Sequence, residues 1–265
     1  SYGPPCVRAL DGVRRHGTLE CLNDLQKLSH MANAVHIAGG PIVEPTDIPS
    51  PHRHLDMVYS AFKYSDKPII GSVTAPSRAE DTLEMARIVF GSSFVAENAV
   101  TTSLINSNSP MVWDESMLSA LRVYASSNQA VMISPFSMAG ASMPASPLGA
   151  VALVVAEVLS ALAYGQMVRP GAPMLFGCPA MAVSLKTGSP IFGGPDSAML
   201  QLLAGRMARF YGLPHRGIGG CASNKTSDLY AGYDSNWGNF SAVLSGANWI
   251  SHAGGNIEGT LTICY

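Results

Sequence analysis

The stretch GIGGCASNKTSDLYAGYDS (217–235) sets three glycines beside a thiol and follows them with a run of hydrogen-bonding side chains. Cys221 stands ahead of a helix-like pattern, and a helix N-terminus lowers a thiol's pKa and favours the nucleophilic thiolate. No histidine lies near it in the sequence, so the base that a cysteine nucleophile needs is not supplied locally. Lys225 admits two further chemistries: an amine among glycines can meet a phosphate, and a lysine in a barrel loop can form a Schiff base, as in a lyase or aldolase. Asn224 and Asp228 accompany it beyond the Gly219 and Gly220 pair, where a carboxylate-bearing ligand could meet donors. The alternative is a helix start at which Asp228 offsets the macrodipole and Lys225 is solvated. His252 follows the strand-like run ANWIS, either as a donor to a ligand or as a satisfied structural group.

The chain that must position these groups has 265 residues, 47% of them hydrophobic, enough to bury the core of one large α/β domain or two small ones. A net charge of -2, with 16 Lys+Arg scattered among 18 Asp+Glu, leaves no basic stripe and argues against nucleic acid as a partner. Five widely spaced cysteines form no CxxC pair, so neither a zinc ribbon nor a disulfide framework is indicated and a reducing, cytoplasmic compartment is expected. The apolar run LGAVALVVAEVLSALAYG (148–165) approaches membrane-span length, yet it carries Glu157 and is rich in Ala and Gly, which reads as a buried helix. No signal peptide pattern opens the chain. Its abrupt start at SYGPPCVRALDG and its end in GTLTICY read as a fragment of a longer protein.

Short β-rich runs alternate with Gly/Ser/Pro/Asn loops and helical periodicity. AVHIAG (34–39), PIIGSV (68–73), AVTTSLIN (99–106), AVMISPF (130–136), APMLFG (172–177), PHRGIGG (214–220) and ANWISHAGG (247–255) are the expected strands. Helices are expected between them, with Ser77, Asp114 and Asp196 as N-caps. About seven βα units in series predict an α/β fold, a TIM-type (β/α) barrel that is incomplete, forming a single domain over 1–265. No GxGxxG follows the first strand, which weakens a dinucleotide-binding fold. Barrel chemistry comes from loops at strand C-termini, here 74–77, 106–108, 134–142, 177–181, 219–228 and 252–256. Few ionisable groups occur in the first five of these beyond Lys225 and Asp228, so the site is expected to work by hydrogen bonding and apolar contact.

The segments RPGAPMLFG, KTGSPIFGGPD, ARFYGLP, GGCASNKTSD and LSGAN, with VRALDGVRRHGTLECLNDL and SDKPII earlier, carry a specific resemblance. Over most of its length the chain resembles the trimethylamine methyltransferase family, which includes glycine-betaine methyltransferase-like members. The resemblance implies a TIM barrel that moves a methyl group from a tertiary or quaternary amine to the Co(I) corrinoid of a separate protein. It also implies that residues are missing at both ends, since family chains are longer. Where many relatives read DxQAxxE, this chain reads DLYAGYD, with Tyr230 for the amide and Asp234 for the glutamate. The trimethylamine enzymes proper carry pyrrolysine; this chain shows only ordinary residues, with Cys221 or a neighbour at the matching position.

Given that resemblance, the protein need not supply a nucleophile, because Co(I) is one. A quaternary nitrogen leaves as a neutral amine and needs no proton, so a betaine is the expected substrate. Aromatic faces recognise quaternary ammonium; Phe136, Tyr230, Tyr233, Trp237 and Trp249 are the candidates, against simple packing. Substrate contacts are expected from Phe136, Gly219, Gly220, Cys221, Tyr230 and Asp234, and catalytic roles from Asn224, Lys225, Asp228 and His252. Glu157 reads as a buried, hydrogen-bonded carboxylate serving stability. Met138, Gly140 and Ser142, in the small-residue loop SMAGASMPASP, are the expected corrinoid-facing residues. The expected partners are a cognate corrinoid protein and a small methylated amine, with a homo-oligomer as an option and no membrane. Two other readings remain open: a barrel lyase or aldolase using Lys225, and a non-catalytic amine-binding barrel.

Overall fold

The computed structural model describes residues 3–39, 41–178 and 181–264. In chain order its elements begin β1 (Cys6–Arg8), β2 (Arg14–His16), α1 (Leu19–Met31), α2 (Arg53–Tyr64), β3 (Ile69–Ile70), α3 (Pro76–Phe90) and α4 (Ser92–Glu97). They continue with β4 (Thr101–Ile105), α5 (Glu115–Ser126), β5 (Ala130–Ile133), β6 (Met138–Ala139), α6 (Pro147–Val168), β7 (Met174–Gly177) and β8 (Met181–Val183). The remainder are β9 (Pro190–Ile191), α7 (Pro195–Phe210), β10 (His215–Ile218), α8 (Leu229–Leu244), β11 (Trp249–Ser251), β12 (Asn256–Ile257) and β13 (Thr262–Cys264).

The protein is mixed α/β. Its longest sheet has the order β3-β4-β5-β7-β10-β11, with β3 on β4, β7 on β10 and β10 on β11 all parallel. Strands that follow one another across a sheet in chain order, with helices between, lack the switch point of a doubly wound fold; the order is compatible with an incomplete TIM-type barrel. Six of the seven expected strands form. The exception is 34–39, where residue 34 lies in a turn and 35–39 join no ladder, although Ala38 N donates to the Pro68 carbonyl at 3.3 Å. Two expected N-caps also move. Ala75 and Gly194 cap α3 and α7, since Pro76 and Pro195 occupy the first helical position, where a missing N–H costs nothing and a preset φ starts the helix; Ser77 and Asp196 therefore lie inside the first turn. Asp114 does immediately precede α5. In the expected loop 177–181, Pro179 and Ala180 lie outside the described residues.

The chain divides into two compact units. The first comprises Ser1–Ile105, Glu115–Val131 and Gly165–Pro173. There, α1 is capped by Thr18, whose side chain accepts from Cys21 N, and Tyr124, fully buried, donates to the Ser72 carbonyl at 2.8 Å. The second comprises Asn106–Asp114, Met132–Tyr164 and Met174–Tyr265, and holds the C-terminal ends of β5, β7, β10 and β11.

In the second unit α7 and α8 lie against β10. Gln201 of α7 accepts from Ile218 N at 2.6 Å and donates to Ser241 of α8 at 2.8 Å, so one buried amide ties both helices to the strand. Gly238 of α8 meets the Gly219 carbonyl so closely that no Cβ would fit, which holds the helix hard against the strand's end. His215 is buried on β10, with Nδ1 3.3 Å from the Phe176 carbonyl and Nε2 without a partner among the described residues.

Helix α6 is long and apolar enough to cross a membrane, and it is the one described helix to pass that test. Its buried positions, Ala150, Val151, Val154, Val155, Val158 and Ala161, fall at helical spacing on one stripe, the pattern of a helix packed on protein. Glu157 on the same helix is 0% exposed and accepts from Ser107 Oγ, Ser109 Oγ and Met111 N, each at 2.7 Å. Ser109 lies 2.7 Å from Ser137 as well, so one carboxylate fastens the loop after β4 and the segment after β5 to α6.

Two outcomes follow from this packing. Glu157→Ala leaves three donors without their acceptor, the buried Ser107 hydroxyl among them, and is expected to destabilise by about 2–4 kcal/mol, whereas Glu157→Gln, which keeps one acceptor oxygen, costs about half as much. Chemical denaturation reads the difference, and equal losses would contradict the clamp. Burial pushes His215 down to about 4 from the ordinary 6.5, against the pull of the Phe176 carbonyl, with smaller contributions from the charges of Arg216 and Arg209 in the same direction as burial. The unfolded chain thus binds a proton that the folded one refuses, and stability is lost as pH falls from 6.5 towards 4. The expected loss is on the order of 3 kcal/mol. A His215→Gln variant should show a flatter loss over that window, and superimposable profiles would refute it.

Candidate functional site

Strand alternation determines what β10 offers to the face away from the helices. A Cβ at Gly217 would stand 3.1 to 3.2 Å from Ala242, Gln201 and Ala247, so that position faces α7 and α8. Arg216, one residue earlier, points to the opposite face of the sheet. It is 2% exposed. Its Nε donates to Ser251 Oγ at 2.8 Å and its Nη1 to Ser134 Oγ at 3.2 Å, reaching the end of β11 on one side and the residue after β5 on the other. Gly177 at the end of β7 makes the second reach possible, because a Cβ there would collide with the Ile133 carbonyl and with Ser134. Trp249 Nε1 donates to the same Ser251 oxygen at 3.1 Å, which leaves the Ser251 proton to serve another acceptor.

No ion pair to Arg216 is found among the described residues. Burial pushes its guanidinium down to about 10, against a weaker pull from the thiols of Cys221 and Cys178, so it remains a cation at neutral pH. A buried cation answered only by hydroxyls costs several kcal/mol relative to a paired one. Burial raises the Cys221 thiol to about 12 although Arg216 favours its charge, which leaves it a neutral core group packed with Met181 and Phe192. His252, partly buried and in the left-handed region at φ 59, is pushed down to about 4 by burial and then by the Arg216 charge. Its Nδ1 accepts from the Asn256 side-chain amide at 3.3 Å, which places the ring proton on Nε2.

The glycine-rich stretch is pinned rather than loose. Gly219 N donates to the Ser251 carbonyl at 2.7 Å, Asn256 N to Gly220 at 2.7 Å, Ala222 N to Asn256 at 2.8 Å and Glu258 N to Asn224 at 2.7 Å. Gly219 and Gly220 are therefore brought against Ser251 and His252, beside the Arg216 group. Asn224, Lys225 and Asp228 are not. Asp228 caps α8 by accepting from Ala231 N at 2.9 Å and also takes bonds from Thr226 and Asn224, while Lys225 is exposed; the helix-start alternative accounts for this trio. The backbone amide of Ala231 and the Thr226 hydroxyl hold Asp228 below the usual carboxylate range.

Tyr230 is 73% exposed on the first turn of α8, with Tyr233 nearby and also exposed. Asp234 lies against Gly193, and its carboxyl is raised by burial against a backbone hydrogen bond from Ser223. Trp237 stacks on Phe240 at 6.1 Å. Phe136 is exposed two residues beyond Ser134. Met138 begins β6 and pairs with Met181, Gly140 adopts φ 89, and Ser142 Oγ accepts from Met138 N at 3.0 Å, closing a compact turn. Arg216 itself is the residue that sequence reasoning passed over. The available signal was an arginine inside a strand, HRGI, that the alternation of strands and helices places in the sheet interior, where charged residues are rarely buried without a reason.

Comparison with known proteins is consistent along the whole chain. The family model described as trimethylamine methyltransferase (MTTB) matches residues 1–265. A glycine betaine methyltransferase from Desulfitobacterium hafniense is 40% identical over 265 residues, 100% of this chain and 55% of that protein. A proline betaine:corrinoid methyltransferase from Eubacterium limosum is 24% identical over 96% of this chain and 54% of its own length. A trimethylamine methyltransferase from Methanosarcina barkeri is 32% identical over 47% of this chain and 25% of its own. The chain thus spans about half the length of the first two relatives. With the family model matched end to end, the chain belongs to the trimethylamine methyltransferase family.

Proposed function

We propose that this protein takes a methyl group from a quaternary amine of the betaine class and passes it to the Co(I) corrinoid of a partner protein. The observation that carries this reading is the 40% identity, across the full 265 residues, to a protein named glycine betaine methyltransferase. The corrinoid supplies the nucleophile. This chain's residues then hold the amine, aim one methyl outward and keep water away. The C–N bond breaks with its electron pair returning to nitrogen, a neutral tertiary amine departs, and no proton has to move. The group around Arg216 suits that demand, since His252 and Cys221 are both held neutral at pH 7.

In this reading Phe136, exposed two residues beyond Ser134, offers its ring face to the trimethylammonium group, at about 0.5–2 kcal/mol for such a contact. Tyr230 and Asp234, where this chain departs from the family pattern, stand on α8 as the positions that tune the substrate. The turn of Met138, Gly140 and Ser142 fits the approach of a flat macrocycle, because Gly140 is exposed with no side chain to hold it off. Schiff-base chemistry finds less support, for an imine-forming lysine works from a desolvated site and Lys225 is exposed.

The reading is tested by incubating the purified full-length protein with a Co(I) corrinoid protein and a panel of betaines, choline and mono-, di- and trimethylamine. Loss of the Co(I) absorbance together with the demethylated amine, found with a betaine, is the expected result. Binding by calorimetry without methyl loss for every member of the panel would instead favour the non-catalytic barrel.

A further inference from the structure

We infer that Arg216 is the anchor for the substrate's carboxylate: a buried guanidinium, aimed by Ser134 and Ser251 and paired with no carboxylate among the described residues, receives the acid end of an N-methylated amino acid. The inference rests on the methyltransferase reading above and deepens it by fixing which end of the substrate the chain holds.

A guanidinium carries five N–H donors in a planar fork. Two are spent on Ser251 and Ser134, both on the side that orients the group. Nη2 makes no hydrogen bond to a described residue. A fork with its Nη edge open matches the two oxygens of a carboxylate. The Ser251 hydroxyl, already accepting from Arg216 and Trp249, has a proton to add to the same ligand. The charge count also favours a single carboxylate. One cation with neutral neighbours balances one negative charge, whereas a phosphate dianion would call for a second cation, and the groups beside Arg216 are Cys178, Cys221 and His252, which bring no positive charge.

The same charge sets orientation. A betaine carries a fixed positive nitrogen a few bonds from its carboxylate, and Arg216 repels that nitrogen as it attracts the acid. The substrate therefore enters acid first and leaves its methyl groups pointing away from β10. Lys225 and His252, the donors that the sequence suggested for this duty, are respectively exposed and neutral.

Calorimetric titration of the full-length protein with glycine betaine and with betaine amide, in which a carbamoyl group replaces the carboxylate, tests this directly. Wild type is expected to bind the acid at least 30-fold more tightly than the amide. Arg216→Met should bind both alike, and Arg216→Lys, which keeps the charge without the fork, should fall between. Thermal melting establishes that each variant is folded, and the lysine variant serves if the methionine variant is not. Equal binding of acid and amide by wild type, or undiminished preference for the acid in a folded variant, overturns the inference while leaving methyl transfer standing. Unfolding of both variants would show that the fold itself, rather than a ligand, is what the Arg216 charge serves, and overturns it too. Failure of wild type to demethylate any quaternary amine strikes the underlying reading instead.

Discussion

One guanidinium buried against hydroxyls organises the second unit of this protein. Arg216 sits charged inside β10 with Ser251 of the neighbouring β11 on one side and, across β7, Ser134 just beyond β5 on the other, and those contacts tie the ends of these strands together. Behind the strand the opposite demand applies. Gly217 and Gly238 remove every side-chain atom that would keep α7 and α8 from the sheet, so the strand is fixed from behind while its front carries the charge.

Two buried ionisable side chains in the same unit, Glu157 and Arg216, are satisfied to different degrees. Glu157 is ringed by three donors from one loop and needs nothing more; it holds backbone in place. Arg216 has two hydroxyl acceptors and spare donors, and a charge so placed is costly unless something negative arrives. Full satisfaction is what a scaffold requires, and incomplete satisfaction is what a binding group requires.

Much of the scaffold was legible because its physics is local. Alternation of β-branched runs with helical periodicity marks each strand from β3 to β11 that joins the long sheet, and the apolar stripe of α6 is visible in its sequence. The run at 34–39 misled because β propensity is worth little without a partner strand to complete it. Helix starts at Pro76 and Pro195 were displaced by two residues because proline, not the polar residue beside it, sets the first turn. The site was harder to read because it is not contiguous. Lys225 and Asp228 draw attention by lying together, yet their closeness reflects a helix cap. Arg216, Ser134 and Ser251 are 82 and 35 residues apart in sequence and meet only through strand order.

The most direct measurement is a crystal structure of the full-length protein with glycine betaine bound. The carboxylate is expected within about 3 Å of the Arg216 guanidinium, with the trimethylammonium group turned away from β10 towards the methyl acceptor. A structure in which an aspartate or glutamate of the protein itself occupies that position, with the betaine bound elsewhere or reversed, would contradict it.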